Sequence, residues 1–334
     1  MRTKSSAFRE SSSLVPIKDT VEFQAEIYTR HPILKGIGMI TLAAFLLLPY
    51  YLAKNHWNWL EGLFEGDKFW MTLVTCIVLS HIVHSTTCIS YAIIYKLKLP
   101  FFEQFKDNPN PWPWEYDPNF SKQIWRGIKL VCFNNFVISP LGFIFAIKVG
   151  LLDVRMTAEE LPSFWIYIAQ VFYHMFWEDA MFYQTHKLLH HPKLYPYIHK
   201  IHHEFYDTIC ISSEFAHPVE FLLGNVLPVG LGSILLFGKG HLLSLLVFIA
   251  FRLFETVESH CGYDFPWAVT RAFPFSVTST YHNYHHLKNI GNFGSFLIMW
   301  DSIFGTNTQY YKDLQNPESP YSKLLSKPEH QKTK

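Results

Sequence analysis

Cysteine is sparse and unpaired in this chain. Cys76, Cys88, Cys132, Cys210 and Cys261 are odd in number, scattered, and include no C-x-x-C pair. That pattern excludes a disulfide framework and a thiolate metal site, and fits small core residues in a reducing compartment. Charge is scarce too, at 16% of residues, and neither sign prevails: 28 basic against 27 acidic side chains leave a net +1. With no basic stripe interleaved with aromatics, nucleic acid is not an expected partner. Two common signatures are missing. Gly230-Leu-Gly232 lacks the third glycine of a dinucleotide-binding turn and sits in an apolar run, and no H-E-x-x-H occurs. Residues 1–21 are polar and charged, with no apolar core or cleavage site of a signal peptide, so the first apolar segment is expected to stay as an anchor.

What the chain has in quantity is apolar surface, 49% hydrophobic and 17% aromatic over 334 residues. It is gathered in blocks. Residues 36–53, 69–95, 128–152 and 164–182 are each long enough, at about 1.5 Å per residue, to cross a hydrocarbon core of roughly 30 Å. A weaker pair, 219–237 and 241–257, is joined by Gly238-Lys-Gly240 and contains Pro228, Arg252 and Glu255, so it is either a re-entrant hairpin or two further spans. The expected fold is all-α, a multi-pass membrane protein with four transmembrane helices plus that hairpin. Residues 1–34 read as a polar leader, 35–184 as transmembrane helices, 185–313 as a histidine-rich catalytic region containing the hairpin at 219–257, and 314–334 as a tail. Between the second and third blocks, Asn108-Pro-Asn-Pro-Trp-Pro-Trp114 cannot be helix interior, and its tryptophans suit lipid headgroups. Arg2, Lys4, Arg9, Lys18, Arg30 and Lys35 precede the first block, which places the N-terminus in the cytosol and, counting spans, everything after residue 182 on the same face.

The chemistry is carried by histidine. Twelve of 18 fall between His186 and His286, in three clusters: His186-Lys-Leu-Leu-His190, His199-Lys-Ile-His202-His203 and His282-Asn-Tyr-His285-His286. On a helix, residues three and four apart share a face with β-carbons roughly 5–6 Å apart, so each cluster can offer two or three imidazoles to one ion. Eight imidazoles exceed what one open site needs, and two metals are the economical count. Imidazole suits iron, copper, zinc and nickel alike. Iron is favoured by context, since a membrane-embedded site meets lipid chains, and attack on an unactivated C–H bond requires an oxidant made from dioxygen. Two other classes stay open at this point: a zinc hydrolase, and a catalytically silent sterol-binding membrane protein that keeps metal for structure.

The clusters, with Glu178-Asp179, Phe215-Ala-His217-Pro-Val-Glu220, Arg252-Leu-Phe-Glu255, Ser259-His260-Cys-Gly262-Tyr263-Asp264 and Phe304-Gly-Thr306, resemble the fatty acid hydroxylase and sterol desaturase superfamily over residues 163–310. The sterol 4-methyl oxidase branch is the most similar. That resemblance implies a di-iron oxygenase of the endoplasmic reticulum in sterol biosynthesis. It would oxidise the 4-methyl group of a sterol precursor with O2 and electrons from NAD(P)H, relayed by a b-type cytochrome and its reductase, and a decarboxylating dehydrogenase would act on the product. Related branches hydroxylate or desaturate fatty acyl chains and sterol side chains.

The resemblance assigns metal ligation to His186, His190, His199, His202, His203, His260, His282, His285 and His286, with His217 as an additional ligand. Glu178, Asp179, Glu214, Glu220, Glu255 and Asp264 are candidates to accept a ligand's free ring N–H, Asp179 and Glu220 foremost. Two positions depart from the branch. Phe182 stands where it usually has a further histidine, and Tyr281-His282-Asn283 replaces its usual His-His-Asp.

Overall fold

The computed structural model describes residues 31–108, 111–272, 275–316 and 318–319. The leader expected at 1–34 and the tail at 314–334 therefore lie mostly outside the described residues.

Six long helices run back and forth between two ends of the molecule. α1 (Pro32–Leu63) begins on a proline, whose missing N–H would be unpaired in a first turn anyway. α2 (Lys68–Leu97) starts under Asp67, which accepts the Trp70 N–H, and stops at Lys98 in the left-handed conformation. α3 (Phe120–Lys148), α4 (Phe164–Leu189), α5 (Pro218–Leu236) and α6 (Leu242–Ser259) follow. α7 (Ser279–Lys288), α8 (Met299–Phe304) and α9 (Thr308–Gln315) form a cap. No strand occurs among the described residues, where extended pairing is limited to isolated bridges.

Two of the long helices are widened at one turn. In α3 the segment Asn134–Ile138, and in α5 the segment Phe221–Val226, are π-turns, closed by Ser139 N–H to Asn134 O and Leu227 N–H to Leu222 O. Each ends two residues before a proline, Pro140 and Pro228. A proline ring has no N–H and collides with the carbonyl four residues back in a regular helix, and the wider turn makes room for it. The two π-turns face each other.

The helices define the ends. At one end Trp57 donates its indole N–H to Met156 O at 2.6 Å, Ala158 N–H donates to Glu61 at 3.0 Å, and Arg155 N–H donates to Gly240 O at 2.8 Å. This gathers the α1–α2, α3–α4 and α5–α6 connections. At the other end Asp107 N–H donates to Gly262 O and Ser279 Oγ to Asp107, which joins the α2–α3 connection to the cap. All three histidine clusters are at this second end.

α1, α2, α3 and α5 are long and apolar enough to cross a membrane, with little of each apolar stretch covered by protein. Ile40, Leu47, Ile82, Ile89, Phe136 and Phe145 stand exposed along them, the surface a bilayer would cover. The number of such helices is the expected four, but the membership differs. Residues 164–182 read as the fourth span, whereas α4 dilutes its apolar run with Gln170, His174, Glu178 and Asp179, and α5 of the expected hairpin qualifies in its place. Glu178 and Asp179 are paired inside the protein. α6, buried along almost its whole length, carries Arg252, Glu255 and Glu258, and Arg252 reaches across to α4 to donate to Glu178 at 2.6 Å, as well as to Glu255 at 2.9 Å. α4 and α6 hold their charges inside the bundle.

Close contact between α4 and α5 depends on Gly232, where an added Cβ would lie 2.4 Å from His174 Nδ1 and 2.9 Å from its backbone Cα. The backbone atom cannot step aside. Gly232→Ala is therefore expected to destabilise the protein by about 1–3 kcal/mol, read as a lowered thermal midpoint in detergent, and an unchanged midpoint would contradict the contact.

Candidate metal centre

The three clusters and His260 converge on two neighbouring pockets. His186, His190, His199, His203 and His285 point ring nitrogens into one, and His202, His260, His282 and His286 into the other; within each pocket the nitrogens lie within 4.8 Å of one another. The local geometry explains the division. His186 and His190 are four apart on α4 and share a pocket, as do His199 and His203, while His282 and His286 on α7 share the second. The middle histidine of each H-x-x-H-H crosses over: His202 joins the second pocket and His285 the first. The segment His199–Glu204 is a tighter 3₁₀ turn rather than the α-helix the spacing suggests. Asn289, left-handed, ends α7 just beyond its last histidine.

Most rings are held from behind. Nδ1 of His186 donates to Phe293 O at 3.0 Å, His202 to Phe215 O at 3.1 Å, His260 to Thr256 O at 2.7 Å, His285 to Gly291 O at 2.6 Å and His286 to Phe205 O at 3.1 Å. His199 Nδ1 donates to the Glu220 carboxylate at 2.6 Å. A carbonyl can only accept, so each of these rings carries its proton on Nδ1 and turns an Nε2 lone pair inward. Gly291 can present its carbonyl because it has φ +55°, and a Cβ there would fall 1.9 Å from Thr306 O.

The inward nitrogens are too close to one another to be alone. His186 Nε2 and His199 Nε2 are 3.1 Å apart, and His202 Nε2 and His260 Nε2 are 3.4 Å apart, each pair made of two lone pairs. His282 Nε2 lies 2.9 Å from His260 Nε2 and 3.2 Å from His286 Nε2. A proton is a poor bridge, since burial first and neighbouring imidazoles second hold these rings well below the ordinary histidine pKa, and burial, only partly offset by the Phe215 carbonyl, takes His202 to about 4. A metal cation in each pocket satisfies every lone pair at once. The all-imidazole donor set is compatible with non-haem iron.

Neutral imidazoles in the fold have a consequence for stability without metal. His202 takes up a proton only near pH 4 when folded, against about 6.5 when unfolded. Between those values the unfolded chain binds more protons, so stability falls as pH is lowered through that window. The thermal midpoint of chelator-treated protein is expected to drop steadily from pH 6.5 to pH 4, and a flat profile would contradict it.

Other candidate residues fall elsewhere. His217 reaches neither pocket; its Nδ1 accepts the Val219 N–H at 3.1 Å and caps the start of α5. Asp179 touches no ring. Its Oδ1 accepts the N–H groups of Phe296 at 2.8 Å and Leu297 at 3.2 Å, tying down the strand of loop just after Phe293, the residue that orients His186. Glu220 alone among the acidic candidates meets a pocket histidine. Glu178 and Glu255 pair with Arg252; Glu214 pairs with His84 at 3.2 Å and accepts from Asn135 at 2.5 Å; Asp264 pairs with Arg271 and accepts from Thr280 at 2.9 Å. Phe182 packs edge-on to His186 with ring centres 5.2 Å apart, and the Arg252 guanidinium lies 5.1 Å above its other side. At this position the chain has an apolar ring shared between a cation and a pocket histidine. Asn283 donates to Asp107 at 3.3 Å, a contact that an aspartate would make repulsive.

His186 and His199 of the first pocket and His202, His260 and His282 of the second line one narrow cavity, together with Phe182 and Glu220. Fold and site together define a multi-pass helical membrane protein with a histidine-built candidate metal centre. The fatty acid hydroxylase family model matches residues 171–306. Methylsterol monooxygenase 1 of Gallus gallus is 32% identical over 269 residues, covering 79% of this chain and 86% of that protein. The C-4 methylsterol oxidase of Schizosaccharomyces pombe is 28% identical over 82% of this chain and 92% of its own length. A very-long-chain aldehyde decarbonylase of Oryza sativa is 34% identical over 59% of this chain and 74% of its own. No solved structure matches. The chain belongs to the fatty acid hydroxylase family, among the relatives of the methylsterol monooxygenases.

Proposed function

We propose that this protein is a di-iron monooxygenase that oxidises the 4-methyl group of a sterol precursor, drawing electrons from NAD(P)H through a b-type cytochrome and its reductase. The observation that carries the reading is the single cavity whose wall holds ring nitrogens of both pockets. Iron bound there supplies the means to oxidise an unactivated C–H bond with dioxygen. The rest is done by the chain. Nine imidazoles fix two metal positions, the carbonyls behind them fix the tautomers, and the apolar walls keep water away while holding one carbon against the centre. The acid formed from a 4-methyl group is a substrate for a decarboxylating dehydrogenase.

The assigned ligands are His186, His190, His199, His203 and His285 for one metal and His202, His260, His282 and His286 for the other, with Glu220 orienting His199. The catalytic unit is residues 185–313, set at the cytosolic face of the endoplasmic reticulum. Charge supports that orientation: Lys96, Lys98, Lys106, Lys122, Arg126, Lys129, Lys187, Lys193, Lys200 and Lys288 sit at the histidine end, against Lys54, Lys68, Lys148, Arg155 and Lys239 at the other.

The test is a lipid profile of cells lacking the protein beside cells with it restored. Accumulated 4-methyl or 4,4-dimethyl sterols with normal acyl chains are the expected result. Unchanged 4-methyl sterols, with a hydroxylated or desaturated acyl chain or sterol side chain missing, would move the substrate to another branch of the family.

A further inference from the structure

The histidine-lined cavity has a neighbour. A second, narrow cavity adjoins it inside the bundle, between α2, α3, α5 and α6, with Ser139, Phe143, Phe221 and Val226 on its wall. Asn225 and Thr256 belong to the walls of both, and so mark the junction. Asn225 owes its place to the π-turn of α5, where Gly224 and Asn225 both border the first cavity, and Phe221, Asn225 and Val226 the second.

Asn225 is chemically conspicuous at that place. Its side-chain amide makes no hydrogen bond to any described residue, and neither does the Thr256 hydroxyl, although Thr256 is buried. Polar groups left unpaired in an apolar cavity are unfavourable unless a ligand completes them, and ligand sites characteristically use a few such groups to fix orientation. The amide can both donate to and accept from an alcohol.

We infer that Asn225, assisted by Thr256, binds the substrate's hydroxyl and thereby selects which carbon faces the metals. This rests on the proposed sterol substrate. A sterol carries its hydroxyl on ring carbon 3, the direct neighbour of carbon 4, so a group that holds the hydroxyl at the cavity junction sets a 4-methyl carbon beside it, toward His186, His260 and His282. The remainder of the sterol then leads away from the metals, past Phe221 and Val226 and between the π-turns. Asn225 acts as a positioning residue; it makes no hydrogen bond to a pocket histidine.

The experiment uses the full-length protein in membranes with a reducing system, a 4,4-dimethylsterol and its 3-deoxy counterpart, and the variant Asn225→Leu, similar in size and without hydrogen-bonding groups. The unaltered protein is expected to favour the hydroxylated sterol in kcat/KM by about 10- to 100-fold. Asn225→Leu should lose that factor on the hydroxylated sterol, change little on the 3-deoxy compound, and keep its metal content, so that the preference itself disappears. A variant that retains the preference would overturn the inference while leaving the sterol reading intact. An unaltered protein that oxidises no 4-methylsterol would overturn the substrate reading, and the inference with it.

Discussion

Replacing His282 with alanine is expected to cost the protein about one of the two proposed metal ions and to lower turnover by more than about 100-fold, beyond the loss typical of disturbing a residue behind a ligand. His282 is the hub of the smaller pocket, 2.9 Å from His260 Nε2 and 3.2 Å from His286 Nε2. Removing it leaves three imidazoles of four. The larger pocket has five, and His190, its least buried member, is the one it can best spare. His190→Ala is therefore expected to keep metal in both pockets and to lose less activity than His282→Ala. Elemental analysis of the two purified variants, beside their turnover, checks the asymmetry. Equal metal loss from both would mean that the two groups form one site.

Glu220→Ala should weaken metal retention in the larger pocket by about 10- to 100-fold without touching the smaller one. The carboxylate sits 2.6 Å from His199 Nδ1 and holds the proton there, which leaves His199 Nε2 free between His186 and His203, 3.1 Å from each. Without the carboxylate the ring can move its proton to Nε2, and a protonated nitrogen cannot bind a cation. Competition with a chelator measures the effect. Glu220→Gln should fall between, since its amide oxygen can still accept the Nδ1 proton but brings no charge. Retention unchanged in Glu220→Ala would show that the tautomer is set by something else.

The sequence was most informative where chemistry needs particular side chains. H-x-x-H-H spacing, twice, with an i, i+4 pair before it, named eight of the nine converging histidines, and the family resemblance added His260, which stands alone and carries no spacing signal. It was silent where main chain does the work. The carbonyls of Phe205, Phe215, Thr256, Gly291 and Phe293 orient five of the rings, and any residue type could supply them. Asp179 looked like a ring partner because it is acidic and near His186, yet it holds backbone instead. The pairing that lets α4 and α6 carry charge was likewise invisible, since Glu178 meets Arg252 only after the two helices pack. Asn225 gave no sign in the sequence, since its meaning comes from two cavities and a π-turn that bring it to their junction.

The central claim is that two all-imidazole pockets each hold iron. Elemental analysis of the protein purified from its membrane without added metal tests it most directly. The account predicts about two iron ions per chain, falling toward one in His282→Ala. Zinc as the main metal, or a single ion per chain unaffected by His282→Ala, would contradict it.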